Sequence, residues 1–283
     1  MLDDPGIIAA AIPMAIAVIA AGIARAAGQG GVAVHIASLG GFAGFLAAYL
    51  ALVGWPDALP RTATQKLGYI AVAGLIAGVA LDLAGRSGSG LRGIFILPAA
   101  AVLWIVGPQA MRYAEDSARG LADWMPLLVA AVLACAVLWH VMKRESGLRD
   151  GRLAQVIAAC LGLGGVCIIG SAASLGLLAI AAAAAGAGIA VWNLGRRRVS
   201  PGAGLVLALG AVFAGLAVQA ALFTTAEPVA LLLLLACFLT DAVPMLRPMA
   251  TAQGGFRILA AAPPYVLAVA AIGIAMIQGG GGY

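Results

Sequence analysis

The chain has 283 residues, of which 64% are hydrophobic and only 10% charged, with a net charge of +5. So little charge cannot cover a water-soluble fold of this size, which excludes both a soluble globular domain and a disordered chain. The positive excess implies no nucleic acid, because it is spread over short loops between apolar stretches.

Those stretches run over 6–24, 31–54, 67–85, 93–107, 121–142, 153–170, 172–194, 203–224, 228–246 and 258–278. A hydrocarbon core about 30 Å thick takes roughly 20 helical residues to cross. The fourth stretch is short, and the sixth and seventh meet tightly around Ser171. A re-entrant or broken helix within 159–191 would lower the count to eight or nine. Backbone amides in lipid must be paired within the chain, so only helices and closed barrels span. Val229 to Phe238 and Ala181 to Ala185 lack the alternation of a barrel strand. The predicted fold is all-α, a polytopic bundle of about ten membrane helices. It forms one transmembrane domain over 1–283, with no loop long enough for a soluble domain. Any site must therefore lie among the helices or at their ends.

The segment Met1 to Pro5 lacks the positive region of a signal peptide, so the first stretch is expected to be a retained span. Cys135, Cys160, Cys167 and Cys237 all lie inside stretches and form no CxxC pair, which fits small packing residues better than metal ligands. No cofactor or metal is expected.

Orientation follows from the cations. Twelve of the sixteen Lys and Arg residues fall in odd-numbered connections, and only Arg61, Lys66, Arg112 and Arg119 fall in even ones. The positive-inside rule then places the odd loops in the cytoplasm and both termini in the periplasm of a bacterial-type inner membrane. Arg196, Arg197 and Arg198 read as an anchor to anionic headgroups. Trp55, Tyr69, Trp104 and Trp124 fall at predicted outer ends, and Trp139 and Trp192 at inner ends, the level that amphipathic rings prefer.

Lipid supplies little hydrophobic drive between helices, so close packing needs small residues. Gly40 with Gly44, and Gly74 with Gly78, form GxxxG steps. Pro13, Pro98, Pro126, Pro244, Pro263 and Pro264 lie inside stretches, and each removes an amide donor. Phe42-Ala43-Gly44 is echoed by Phe213-Ala214-Gly215, and the Arg92–Pro98 spacing by Arg257–Pro263. These echoes suit parallel repeats over 1–107 and 172–278, while the span count suits inverted halves over 1–150 and 151–283.

An ionisable side chain in hydrocarbon costs roughly 2.5–3.5 kcal/mol on insertion scales and needs a reason. Asp82, Asp241, His35 and His140 all fall at similar depth towards the odd-loop side, which suggests a shared site for a proton or solute. The plainer alternatives are an Asp82–Arg86 pair one turn apart, and histidines that reach headgroups. Trp104 and Tyr265, close to prolines, are candidate cavity residues. Gln155, Asn193, Gln219 and Thr240 read as helix-to-helix or interfacial hydrogen-bonding groups. No HExxH, Walker A or dinucleotide fingerprint occurs, so no catalytic residue is assigned.

Ala80-Leu81 with Pro98, and Ala221-Leu222, are similar to short patterns of the drug/metabolite transporter superfamily, whose paired five-helix repeats also match this length and span count. That resemblance implies a transporter, although the charge count places both termini opposite to the family's usual layout. Leu81-Asp82 followed by Gly93, and Thr240-Asp241 with Arg257 and Tyr265 downstream, resemble the two motifs of lysoplasmalogenase-like membrane hydrolases. That resemblance implies paired intramembrane aspartates as acid and base. The chain lacks that family's lysine-proline pair and its histidine after the first motif, and it has two more spans.

The sequence thus points first to a secondary transporter or permease for a small or amphipathic solute, with proton coupling through Asp82 or Asp241. A lipid-directed hydrolase and a non-catalytic subunit of a membrane complex are the alternatives. The expected partners are membrane lipid, a small-molecule or lipid substrate, and further copies or subunits.

Overall fold

The computed structural model describes residues 4–28, 30–60, 62–83, 96–115, 121–142, 149–194, 201–240 and 262–279. Among them the chain forms helices and no strand. Helix α1 covers Pro5–Ala26, α2 Gly31–Val53, α3 Ala63–Leu83, α4 Ile96–Glu115 and α5 Leu121–Met142. Helix α6 covers Arg149–Ile169, α7 Ala173–Val191, α8 Ala203–Phe223, α9 Pro228–Ala236 and α10 Ala262–Gly279. Short 3-10 turns extend α7 over Trp192–Leu194 and α9 over Cys237–Leu239. Six helices among the described residues (α1, α2, α3, α6, α7 and α8) are long and apolar enough to cross a membrane. The protein is an all-helical bundle of multi-pass membrane character.

Two boundaries differ from the hydropathy reading in ways that matter. Helix α3 begins at Ala63 rather than Leu67, which brings Lys66 inside the helix instead of into a loop. Helix α4 runs on past residue 107 to Glu115 and carries Pro108 in its interior. Hydropathy stops where charge begins, whereas a helix stops where its backbone pairing ends.

The join at Ser171 is a tight hairpin. Ser171 sits in the left-handed region at φ 61°. The Ala172 amide donates to the Cys167 carbonyl at 2.8 Å and the Ser171 amide to the Ile168 carbonyl at 3.3 Å. This pair of bonds is the Schellman closure, which pairs the last carbonyls of α6 before the chain reverses. Residues 159–191 therefore fold as two antiparallel helices.

Helix α8 is the axis of the bundle. Every residue from Gly204 to Leu216 is buried, as expected for a helix that is apolar on all sides. Glycines set the contacts around it. A Cβ on Gly74 would lie 2.8 Å from the Leu207 carbonyl oxygen, and one on Gly78 would lie 2.5 Å from the Gly204 Cα, so α3 and α8 touch backbone to backbone. Gly44 rests in the same way against the Pro13 carbonyl of α1, and Gly188 of α7 against the Met14 carbonyl. Both GxxxG steps therefore act as predicted, one on α1 and the other on α8. Gly165 packs against Ile272, which seats α10 on α6. Other bulky side chains face outward. Ile19, Ile23, Val266, Val269 and Ile277 are all exposed, as a lipid-facing surface requires.

The side-chain bonds between helices join like ends. Gln219 meets Ala63, and Thr225 meets Gly170, at the end that carries the even-numbered connections, while Lys66 near that end reaches Trp104 midway along α4. Asp82 meets Gly204, and Gln155 meets Thr240, at the end that carries the odd-numbered ones.

Candidate functional site

A cavity of about 470 Å³ opens at the even-loop end, between the start of α3, the end of α4, the start of α7 and the end of α8. Its polar lining comes from Thr64, Lys66, Arg112, Ser174, Gln219 and Thr224, and its apolar lining includes Ile105, Leu175 and Phe223. The volume falls within the roughly 300–1,000 Å³ of small-molecule sites.

Lys66 is the central feature. Only 5% of it is exposed. Its Nζ donates to the Trp104 carbonyl at 3.0 Å and lies 5.0 Å from the centre of the Trp104 ring. The carbonyl is available for a simple reason. In an α-helix it would accept from the amide four residues on, which here is Pro108, a residue with no amide hydrogen. One proline therefore leaves an acceptor inside α4, and a lysine from α3 takes it. The ring face adds a cation–π contact, and Tyr69 packs edge-on against the same indole at 6.2 Å.

The remaining walls are held by backbone as well. Gln219 is buried, and its amide nitrogen donates to the Ala63 carbonyl at 3.2 Å, which ties α8 to the start of α3. The Thr224 hydroxyl donates to the Ala220 carbonyl at 2.6 Å and closes the end of α8. The start of α7 has no such closure, because its N-cap is Ala172 and no side chain bonds its first amides. Those amides form the positive end of a helix dipole. No acidic residue lines the cavity among the described residues. Asp57 is exposed, and its carboxylate accepts from Gln65 at 3.2 Å.

The opposite end of α3 and α8 is closed. Asp82, in the last turn of α3, accepts from the Gly204 amide at 3.3 Å. Helix α8 starts after Gly202, which has no side chain to cap the first turn. A carboxylate from another helix performs that task and meets the positive end of the dipole. Gly202 makes room for this arrangement, since a Cβ there would press on the Ser38 hydroxyl and lie 2.6 Å from the Asp82 Oδ2, so both side chains would have to shift. Ser38 is fully buried, and its Oγ has no hydrogen-bond partner among the described residues. One turn earlier on α2, the sealed Nδ1 of His35 likewise has none.

The predicted site residues therefore fall into separate groups. His35 on α2 and Asp82 on α3 lie towards the closed end, with no bond between them among the described contacts, and Ser38 and Asp82 both border Gly202 there. Trp104 lies midway along α4, 42% exposed, where it flanks the lysine and contributes its carbonyl. Tyr265 is half-buried at the start of α10 and packs against the core. Asp241 and the His140 side chain lie outside the described residues, as does Arg86. Gln155 and Thr240 form the helix-to-helix bond expected of them, at 3.1 Å. Cys160, Cys167 and Cys237 are buried free thiols, and Cys135 is half-buried. Trp192 is docked rather than free at the interface: its indole nitrogen donates to the Val18 carbonyl at 2.9 Å, with Arg25 over its ring.

Neither Lys66 nor Arg112 was singled out by the sequence, which counted both as loop charges. The missed signal was Pro108, one helical turn beyond Trp104, together with a lysine at the mouth of the preceding span. Compared with known proteins, the chain matches no family model and no curated sequence.

Proposed function

We propose that the protein is a secondary transporter or permease for a small solute, in a bacterial-type inner membrane with both termini in the periplasm. The observation that carries this reading is an asymmetry along one helix pair. At one end the α3–α8 pair, held by Gln219 on the Ala63 carbonyl, borders a polar cavity, and at the other it closes through glycine contacts and the Asp82–Gly204 bond. A solute site open to one side and closed towards the other among the described residues matches one half of an alternating-access cycle. The joining of like ends supports a topology that alternates from helix to helix, with ten crossings.

Proton coupling has a candidate in Asp82. Its carboxylate accepts from the first turn of α8 and so links the only described intramembrane acid of α3 to the contact that closes this end. A lipid-directed hydrolase is less well supported, because Asp82 is engaged with backbone and the cavity lies at the other end. The test is solute flux in proteoliposomes made with purified full-length protein, with and without a pH gradient. The expected result is saturable uptake, with Asp82→Asn abolishing the response to the gradient but retaining solute exchange. Absence of flux for every solute that binds the protein would overturn the reading.

A further inference from the structure

We infer that the cavity between α3, α4, α7 and α8 is a binding site for a small organic anion, with its carboxylate or phosphate head on Lys66 and Arg112. The inference deepens the transport reading and rests on it for the word solute, but not for the binding.

The chemistry follows from how Lys66 is satisfied. A buried ammonium carries three donors and a full charge, and an uncompensated charge away from water is costly. Its described partners are a carbonyl at 3.0 Å and an indole face at 5.0 Å, both neutral. They supply hydrogen bonding and partial charge but leave the net charge in place. Arg112 adds a second full cation to the same cavity, and its planar fork suits a two-oxygen head. The uncapped first turn of α7, with Ser174 at its lip, adds amide donors of the same polarity. With no acid among the described lining, these positive groups act in one direction, towards an anion.

The remaining lining sets the shape. Ile105, Leu175 and Phe223 offer apolar contact beside the cations, so the fitting ligand has a short hydrocarbon body as well as a charged head. A phosphate head could reach the site on a water-borne molecule or on a lipid. The enclosing walls at Gln219 and Lys66, both buried within the bundle, favour the water-borne molecule.

The test is calorimetric titration of full-length protein in neutral detergent with butyl phosphate, butylammonium and a long-chain lysophosphatidate. Tryptophan fluorescence serves as a second readout, and Trp104→Phe identifies the source of the signal. The expected result is binding of butyl phosphate and none of butylammonium. Lys66→Gln should weaken binding by roughly tenfold or more, as loss of a charged hydrogen-bonding partner does, and Lys66→Arg should restore most of it. Unchanged affinity in Lys66→Gln, or equal binding of butylammonium, overturns the inference. Binding of lysophosphatidate without butyl phosphate also overturns it, since the site would then be a headgroup contact. If Lys66→Gln does not fold, Arg112→Gln, at an exposed position, carries the test, and its failure to weaken butyl phosphate binding is decisive against the site. Binding without flux in liposomes removes the transport reading and leaves the anion site. Flux of uncharged solutes without butyl phosphate binding does the reverse.

Discussion

The two ends of α3 solve one problem in opposite ways. Lys66 and Asp82 are both charged and both sit at the edges of an apolar helix, about 24 Å apart at 1.5 Å per residue. Each is met by backbone: Lys66 by a carbonyl that Pro108 frees, and Asp82 by an amide that is free because α8 begins there. The difference is the space around them. Asp82 lies over glycines whose backbones touch, whereas Lys66 faces a cavity. A charge in a seam clamps helices together. A charge beside a void is available to a ligand.

The most severe way to break this contrast is to force the seam apart. A leucine at Gly78 would drive its side chain into the Ala203 carbonyl and the Gly204 Cα, which are backbone and cannot turn aside. Overpacking typically costs about 1–3 kcal/mol, and against backbone that cannot move it belongs at or beyond the upper end of that range. We expect Gly78→Leu to lose its cooperative thermal transition in detergent. Gly107, on α4, has nothing within 4 Å of its Cβ position, so Gly107→Ala should melt at or slightly above the wild-type temperature. Equal behaviour of the two variants would show that the α3–α8 contact is not what holds the bundle.

The cavity end should respond in function rather than in stability. Replacing a buried cation by an apolar side chain of similar length removes a desolvation cost but leaves the Trp104 carbonyl unpaired. These effects oppose one another, and Lys66→Met should change stability by no more than about 1 kcal/mol while removing anion binding. Such a split is usual where a charge serves a ligand at the expense of the fold. A variant that both melts far below wild type and still binds anions would place Lys66 among the structural groups.

Much of the bundle is legible from composition and spacing, because lipid imposes one constraint on every residue of a span. The GxxxG steps at Gly40–Gly44 and Gly74–Gly78 announce close contacts, and both occur. Their partners are not legible: nothing local to Gly78 identifies Ala203 and Gly204 as the backbone it meets. Asp82 shows the same limit, since nothing near it in sequence points to the Gly204 amide, 122 residues away. Lys66 was hidden for another reason. Hydropathy assigns a charge to the nearest loop, and only the pairing of Pro108 with a freed carbonyl on a different helix shows why a lysine is tolerated inside.

At the closed end, a smaller change separates cap from clamp. Asp82→Ala removes the acceptor from the Gly204 amide, and loss of an N-terminal cap costs about 1 kcal/mol. Asp82→Asn keeps an acceptor oxygen and loses the charge, so it should recover much of that loss. Thermal unfolding of the two variants checks this order. If Asn is no better than Ala, the charge on the dipole matters more than the hydrogen bond, and the seal is electrostatic.

The smallest effect concerns the hairpin that presents the start of α7 to the cavity. Ser171 is held at φ 61°, a region that costs an L-residue roughly 1 kcal/mol and glycine almost nothing. Ser171→Gly should therefore raise stability by up to about 1 kcal/mol, less whatever the freer unfolded chain returns. Its side chain is exposed, and residue 171 is not among those that line the cavity. Butyl phosphate affinity should accordingly stay at the wild-type value. If affinity falls while stability rises, the strained turn is what aims the first amides of α7 at the ligand. The open end would then depend on backbone held out of its preferred conformation, as the closed end depends on backbone held in contact.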